Sequence, residues 1–190
     1  MRRLNKISQF KQFLAAGFIF ALAFMVYQTS GLAWSVGTTG VMIFAGTFVF
    51  GAPYVPTLKQ DRKLALKLLG LKKGQTLYEM GAGDGSLCLQ AAQLGLQVVG
   101  YEINPILAAI AKFRTYKYRE NCKIIWGDMW EADLSKADGV FVFLAGHIAD
   151  KFEAKFNGEA RKGARLVSLG FEFHLEHIKS EHGLNLYTKD

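Results

Sequence analysis

The sequence predicts an α/β fold: an open, mainly parallel sheet flanked by helices, preceded by an apolar helical hairpin. Three observations predict it. The run Leu77-Tyr-Glu-Met-Gly-Ala-Gly-Asp-Gly-Ser86 reads as an apolar strand, a tight glycine turn and the start of a helix. Gly100-Tyr-Glu-Ile-Asn-Pro105 follows as a second strand end bearing a carboxylate. Upstream, no acidic residue, basic residue or histidine falls between Lys11 and Lys59.

The uncharged stretch comes first in the chain. It holds two apolar runs, Phe13–Tyr27 and Leu32–Tyr54, separated by Gln28-Thr-Ser-Gly31. As a helix the second run reaches about 34 Å, enough for a bilayer core of roughly 30 Å. The first is shorter, and Phe10 with a snorkelling Lys11 extends it. The expected anchor is therefore residues 1–52, with helices at about 10–28 and 32–52. Arg2, Arg3, Lys6 and Lys11 precede the hairpin, and Lys59, Arg62, Lys63 and Lys67 follow it. Basic flanks on both sides of an uncharged turn place both ends on the cytosolic side, or the matrix side in a mitochondrion. Gly17-x-x-x-Ala21 and Ala33-x-x-x-Gly37 suit close helix packing. A cleaved export signal ending near Gly31-Leu-Ala33 is the rival reading, and it leaves the second apolar run unexplained.

Pro53-Tyr-Val-Pro56 ends the second helix and opens a linker, residues 53–74, that contains an amphipathic helix at Leu58–Leu69. The remaining domain, residues 75–190, alternates strand and helix patterns. Strands are expected near 75–80, 97–102, 122–127, 139–144 and 164–170, with helices over 85–94, 105–117 and 148–158. Few residues remain after the fifth strand. The sheet is expected to be trimmed at its C-terminal end, with Phe171–His174 continuing strand five and Leu184–Thr188 adding a last strand.

The glycine spacing selects the ligand. Dinucleotide sites use G-x-G-x-x-G, whereas Gly81, Gly83 and Gly85 form G-x-G-x-G and Ser86 stands at the third fingerprint position. Asp84 adds a carboxylate that would repel a pyrophosphate and tolerate a cationic ligand. S-adenosylmethionine fits, because it carries a sulfonium and an ammonium. Glu79, two residues before the first glycine, suits its amino-acid moiety. Glu102 stands where a ribose diol would be held. Asp128, at the end of Ile124-Ile-Trp-Gly-Asp-Met129, suits the adenine amino group, with the Met129 amide facing a ring nitrogen.

Composition narrows the rest. Cys88 and Cys122 suit reduced core positions. His174-x-x-His177, with His182 nearby, lacks a convincing fourth ligand, so no metal is expected. Much of the formal +7 charge lies beside the apolar runs, and no Asp-Pro-Pro-Tyr motif ends strand four. Neither feature points to nucleic acid.

Tyr54-Val-Pro-Thr57, Gly81-x-Gly-Asp-Gly85, Gly100-Tyr-Glu-Ile-Asn-Pro105 and Asp128-Met-Trp-Glu-Ala-Asp-Leu-Ser135 occur in that order. Together they resemble the membrane-anchored protein-lysine methyltransferases that modify the adenine nucleotide translocase and the ATP synthase c-subunit in mitochondria. The resemblance covers about residues 53–190. It implies a Rossmann-like class I methyltransferase fold in which Gly81, Gly83, Glu102 and Asp128 hold the cofactor; Glu79, Gly85, Ile103, Asn104 and Met129 are the further candidate cofactor residues. It places Tyr54 and Thr57 near the reaction centre. Where that family tends to have a Pro-Gln-type turn after strand four, this chain has Ala145-Gly-His-Ile-Ala149, and His147 is the candidate for orienting the acceptor.

Methyl transfer to lysine needs a neutral amine, and the reference pKa of ~10.4 falls when the group is buried against apolar walls. Tyr54, Trp130 and Phe171 are candidate walls. The expected function is N-methylation of lysine in an integral membrane protein, with the lipid bilayer as the second partner. The alternatives are a lipid or quinone acceptor, and a membrane protein that binds S-adenosylmethionine without turnover.

Overall fold

The computed structural model describes residues 55–143 and 148–190, together with Phe24 and Gln28, both helical. The expected membrane helices, Tyr54 and the turn 144–147 with His147 otherwise lie outside the described residues. Among the described residues no helix is long and apolar enough to cross a membrane. The chain divides into two compact units, Met1–Tyr54 and Val55–Asp190.

The second unit is a seven-stranded sheet. Its strands are β1 (Thr76–Met80), β2 (Gln97–Glu102), β3 (Cys122–Trp126), β4 (Gly139–Val142), β5 (Arg165–Leu169), β6 (Glu176–Glu181) and β7 (Leu184–Thr188). The spatial order is β3-β2-β1-β4-β5-β7-β6. The first five strands are parallel, and β7 runs antiparallel to both β5 and β6. The order reverses between β1 and β4, so a crevice is expected outside the carboxyl ends of those strands.

Helices cover both faces. On one lie α1 (Lys59–Leu69), α2 (Ser86–Gln93) and α3 (Pro105–Thr115), and their buried side chains pack with Leu77, Val98, Ile124, Phe141, Val167 and Leu186. On the other, α4 (Ala149–Glu159) and two short 3-10 turns enclose Tyr78, Met80, Val140, Val142, Leu166 and Tyr187. Alternation along each strand divides its side chains between these two cores. Among the described residues, both cores are built from residues between Ala65 and Tyr187, within the second unit.

The C-terminal end departs from expectation. Strand five stops at Leu169, Phe171–His174 is loop, and a complete hairpin of β6 and β7 closes the sheet. The sheet is therefore not trimmed; a loop simply links β5 to the hairpin. β6, Glu176-His-Ile-Lys-Ser-Glu181, is almost wholly exposed and lacks the apolar alternation by which a strand is recognised. It is a charged edge strand, and such charge discourages pairing with other chains. Its turn is His182-Gly183, both at positive φ (52° and 77°), as a two-residue hairpin requires.

Candidate active site

The glycine turn is built by backbone hydrogen bonds. The amides of Gly81 and Ala82 both donate to the Tyr101 carbonyl, at 2.9 and 2.8 Å, which bends the chain sharply at the end of β1. Gly81 has φ +94°, and a Cβ placed there would meet nothing within 4 Å. The space over this peptide is open, and a side chain would occupy it. Gly85 differs: at φ +76° its missing Cβ would stand 2.8 Å from the Ala111 Cβ of α3. Gly81 is thus open to a ligand, while Gly85 lets two helices approach.

Glu102 joins the turn to β2. Its Oε2 accepts from the Gly83 amide at 2.7 Å and its Oε1 from the Asn104 amide at 2.8 Å. Burial raises its pKa, opposed by hydrogen bonds from the Asn104 and Gly83 amides. Two fixed donors orient the carboxylate, and each oxygen keeps a lone pair for a further donor such as a ribose hydroxyl. The Asn104 side chain caps α3, with Oδ1 accepting from Ile106 and Leu107 at 2.9 and 3.2 Å. The Ile103 carbonyl accepts from the Trp126 indole at 3.1 Å, and Gly127 donates to the Glu102 carbonyl at 3.0 Å. Asp128 caps the 3-10 turn Met129–Glu131 through Trp130 N at 3.1 Å, and Met129 packs half-buried against the second core. Glu102, Ile103, Asn104, Asp128 and Met129 therefore follow the carboxyl ends of β2 and β3, next to the glycine turn.

Glu79 is placed differently. It is 5 % exposed and lies between β1 and α2, where its Oε2 accepts from the Cys88 thiol at 2.8 Å. Burial pushes its carboxyl up to about 8, against the lowering effect of the Cys88 hydrogen bonds. This acid thus ties β1 to α2 through the Cys88 thiol. Asp84 is not a bare carboxylate, because Arg114 of α3 pairs with it and with the Ser86 hydroxyl. Partial burial raises the Asp84 carboxyl, but the hydrogen bonds from Arg114 and Ser86 outweigh it and hold it below the ordinary range. The turn's carboxylate is therefore neutralised from within, which weakens the expectation that it repels a phosphate. No sequence spacing signals the Arg114–Asp84 pair.

Beyond β4 and β5 lies an aromatic series that runs into the second core. Phe143 stands beside Gly170, and Phe171 meets Phe173 edge-on at 5.1 Å. The series continues through Phe152, 6.1 Å from Phe173, to Trp130, 6.2 Å from Phe152. The Phe171 carbonyl is held by the Ser168 hydroxyl at 2.7 Å and the Asn185 amide at 3.0 Å. Trp130 already faces a cation, with the Lys151 ammonium 4.1 Å from its ring centre. Thr57 is half-buried at the entry to α1, and its carbonyl accepts from Arg62. His174 lies beside Glu153, and His177 beside Ser180. Among the described residues no group of three or more potential ligands is placed to hold a metal.

An open glycine turn, an oriented carboxylate ending β2 and an acid after β3 define a class I methyltransferase domain, and they fit S-adenosylmethionine. Residues 79–181 match the family model of the ANTKMT methyltransferase domain, and the chain belongs to that family. It is 30% identical over 148 residues to the lysine N-methyltransferase of the ATP synthase c-subunit from Xenopus laevis, covering 73% of this chain and 65% of that protein. It is 33% identical over 119 residues to the adenine nucleotide translocase lysine N-methyltransferase of Mus musculus, covering 61% of this chain and 52% of that one. The chain thus spans between half and two thirds of these relatives' length. Among solved structures, an RNA methyltransferase from Salinibacter ruber bound to S-adenosylhomocysteine superposes with a TM-score of 0.63 at 26% identity. That match covers 70% of this chain and 93% of the other.

Proposed function

We propose that this chain is a membrane-anchored, S-adenosylmethionine-dependent methyltransferase that modifies lysine in an integral membrane protein. The observation that carries the methyltransferase reading is the open Gly81 turn locked to Glu102 through the Gly83 amide. Membership of the ANTKMT family and the two lysine methyltransferases it resembles support the acceptor. The uncharged stretch between Lys11 and Lys59, with basic residues on both flanks, supports the anchor.

When bound, S-adenosylmethionine supplies an electrophilic methyl group on a sulfonium. The chain's own part is alignment, which contributes about 7–11 kcal/mol in well-oriented systems. Glu102 would accept from the ribose hydroxyls, and Asp128 with the Met129 amide would hold the base. The aromatic surface of Phe143 and Phe171 desolvates the acceptor amine and favours its neutral, nucleophilic form. An anchor confines enzyme and membrane substrate to one surface and raises their effective concentration without added contacts.

The test supplies methyl-labelled S-adenosylmethionine to membranes carrying the wild-type chain or Glu102→Ala. Label in a protein that resolves to methyl-lysine, absent with the variant, is the expected result. Label in lipid, quinone or RNA instead sinks the acceptor assignment. Binding without any transfer would mark a non-catalytic cofactor protein. Protease protection tests the anchor separately: digestion of residues 55–190 from the non-cytosolic side alone overturns the hairpin.

A further inference from the structure

The outer face of α3 carries an apolar stripe that the hydrogen bonds of the glycine turn and Glu102 do not involve. Its inner face, Ala108, Ala111 and Thr115, is buried. Outside, Ile110 is 42 % exposed, Phe113 86 % and Tyr116 65 %. Their spacing of three lines them along one side of α3 and its 3-10 continuation, Tyr116–Tyr118. Lys112 and Lys117 border this stripe, while Arg114 is paired with Asp84 and Arg119 lies 3.8 Å from the exposed Glu120; no acidic residue occurs from Pro105 to Arg119. The Arg119 guanidinium rests on the Tyr116 ring, 4.9 Å from its centre.

We infer that this face is a second membrane contact, which docks on an anionic lipid surface. The inference rests on the membrane reading proposed above and adds to it a site in the catalytic unit. An acid-free basic helix with a protruding phenylalanine has the composition of elements that lie in the headgroup region. The Lys112 and Lys117 stems reach along the helix while their heads meet lipid phosphates, and each cation near an anionic surface raises partitioning roughly five-fold. The docked helix is also tied to the cofactor turn. Arg114 pairs with Asp84, and Asn104 at the helix start donates its amide to Glu102. Docking would hold the turn about one helix diameter, ~10 Å, from the headgroups.

The unit Val55–Asp190 carries its own core, so it can be assayed without the apolar N-terminus. It should sediment with vesicles of phosphatidylcholine and phosphatidylglycerol, release in high salt, and stay unbound with phosphatidylcholine alone. Phe113→Ala, at an exposed position, should weaken binding about ten-fold or more, and Lys112→Glu with Lys117→Glu should abolish it. Circular dichroism checks that the variants remain folded. No sedimentation, equal binding to both vesicles, unchanged binding by Phe113→Ala, or binding to RNA but not to vesicles would each overturn the inference. In the full chain, the variant combining Phe113→Ala, Lys112→Glu and Lys117→Glu should stay in the membrane while losing amide-exchange protection over 110–119. Loss of the full chain from the membrane without loss of vesicle binding by Val55–Asp190 would refute the anchor and leave this face standing.

Discussion

The Cys88 thiol donates a 2.8 Å hydrogen bond to the Glu79 carboxyl, with both residues buried beneath the glycine turn. Burial pushes Glu79 from its usual 4.5 up to about 8, so the folded protein keeps it protonated at neutral pH. A hydrogen bond with Cys122, together with burial, pushes the Cys88 thiol well above its ordinary value. The pair is an uncharged support, and it predicts how stability follows pH.

Between about 4.5 and about 8 the folded state binds a proton at Glu79 that the unfolded state has released. Stability from this group is therefore greatest below 4.5 and declines as pH rises towards 8. Glu79→Gln, which cannot ionise, should remove that decline. Denaturant unfolding of both proteins from about pH 5 to about pH 8 should show profiles that diverge by a few kcal/mol at the upper end. Parallel profiles would mean that Glu79 is ionised in the fold.

At Glu102 one carboxylate has two duties. Glu102→Ala leaves the Gly83 and Asn104 amides without their acceptor, which should cost about 1–3 kcal/mol of stability. Losing its charge-assisted bonds to the ribose should weaken cofactor binding by roughly ten- to a hundred-fold. Glu102→Gln keeps one oxygen acceptor and should fall between. Calorimetric titration with S-adenosylhomocysteine reads the affinity, and an unchanged Kd for Glu102→Ala rejects the assignment.

Gly81 and Gly85 should respond differently to alanine. Gly85→Ala forces a Cβ within 2.8 Å of Ala111 and should cost about 1–3 kcal/mol through overpacking and the left-handed φ. Gly81→Ala meets no protein atom, so its stability cost is limited to backbone strain, while its methyl enters the ligand space. Thermal melts paired with binding titrations should show the larger stability loss at 85 and the larger affinity loss at 81. The reverse ranking would displace the ligand from the turn.

Arg114→Ala removes a partly exposed ion pair, whose contribution to stability is about 0.2–1 kcal/mol. Its greater effect should be on the turn, where Asp84 would carry an uncompensated charge and its carboxyl would rise towards the ordinary range. The KM for S-adenosylmethionine should change by more than the melting temperature suggests, and Arg114→Lys should recover part of it. An unaltered KM would make the pair a surface feature only.

The strand–turn–helix register of the glycine turn, the acid that ends β2 and the long uncharged stretch are all written in the primary structure. Each is local: apolar periodicity, glycine positions and the spacing from Gly81 to Glu102 act within a few dozen residues. β6 was not legible there, since Glu176–Glu181 is an exposed edge strand held by β7 rather than by a buried face. The differing roles of Gly81 and Gly85 were equally hidden, because only the approach of α3 distinguishes them. The same holds for Glu79, a ligand by motif and a buried neutral acid by packing, and for Asp84, a bare carboxylate by sequence and one partner of Arg114 in the fold. These points emerge only on folding, since burial and pairing between distant segments set the charge that each group carries.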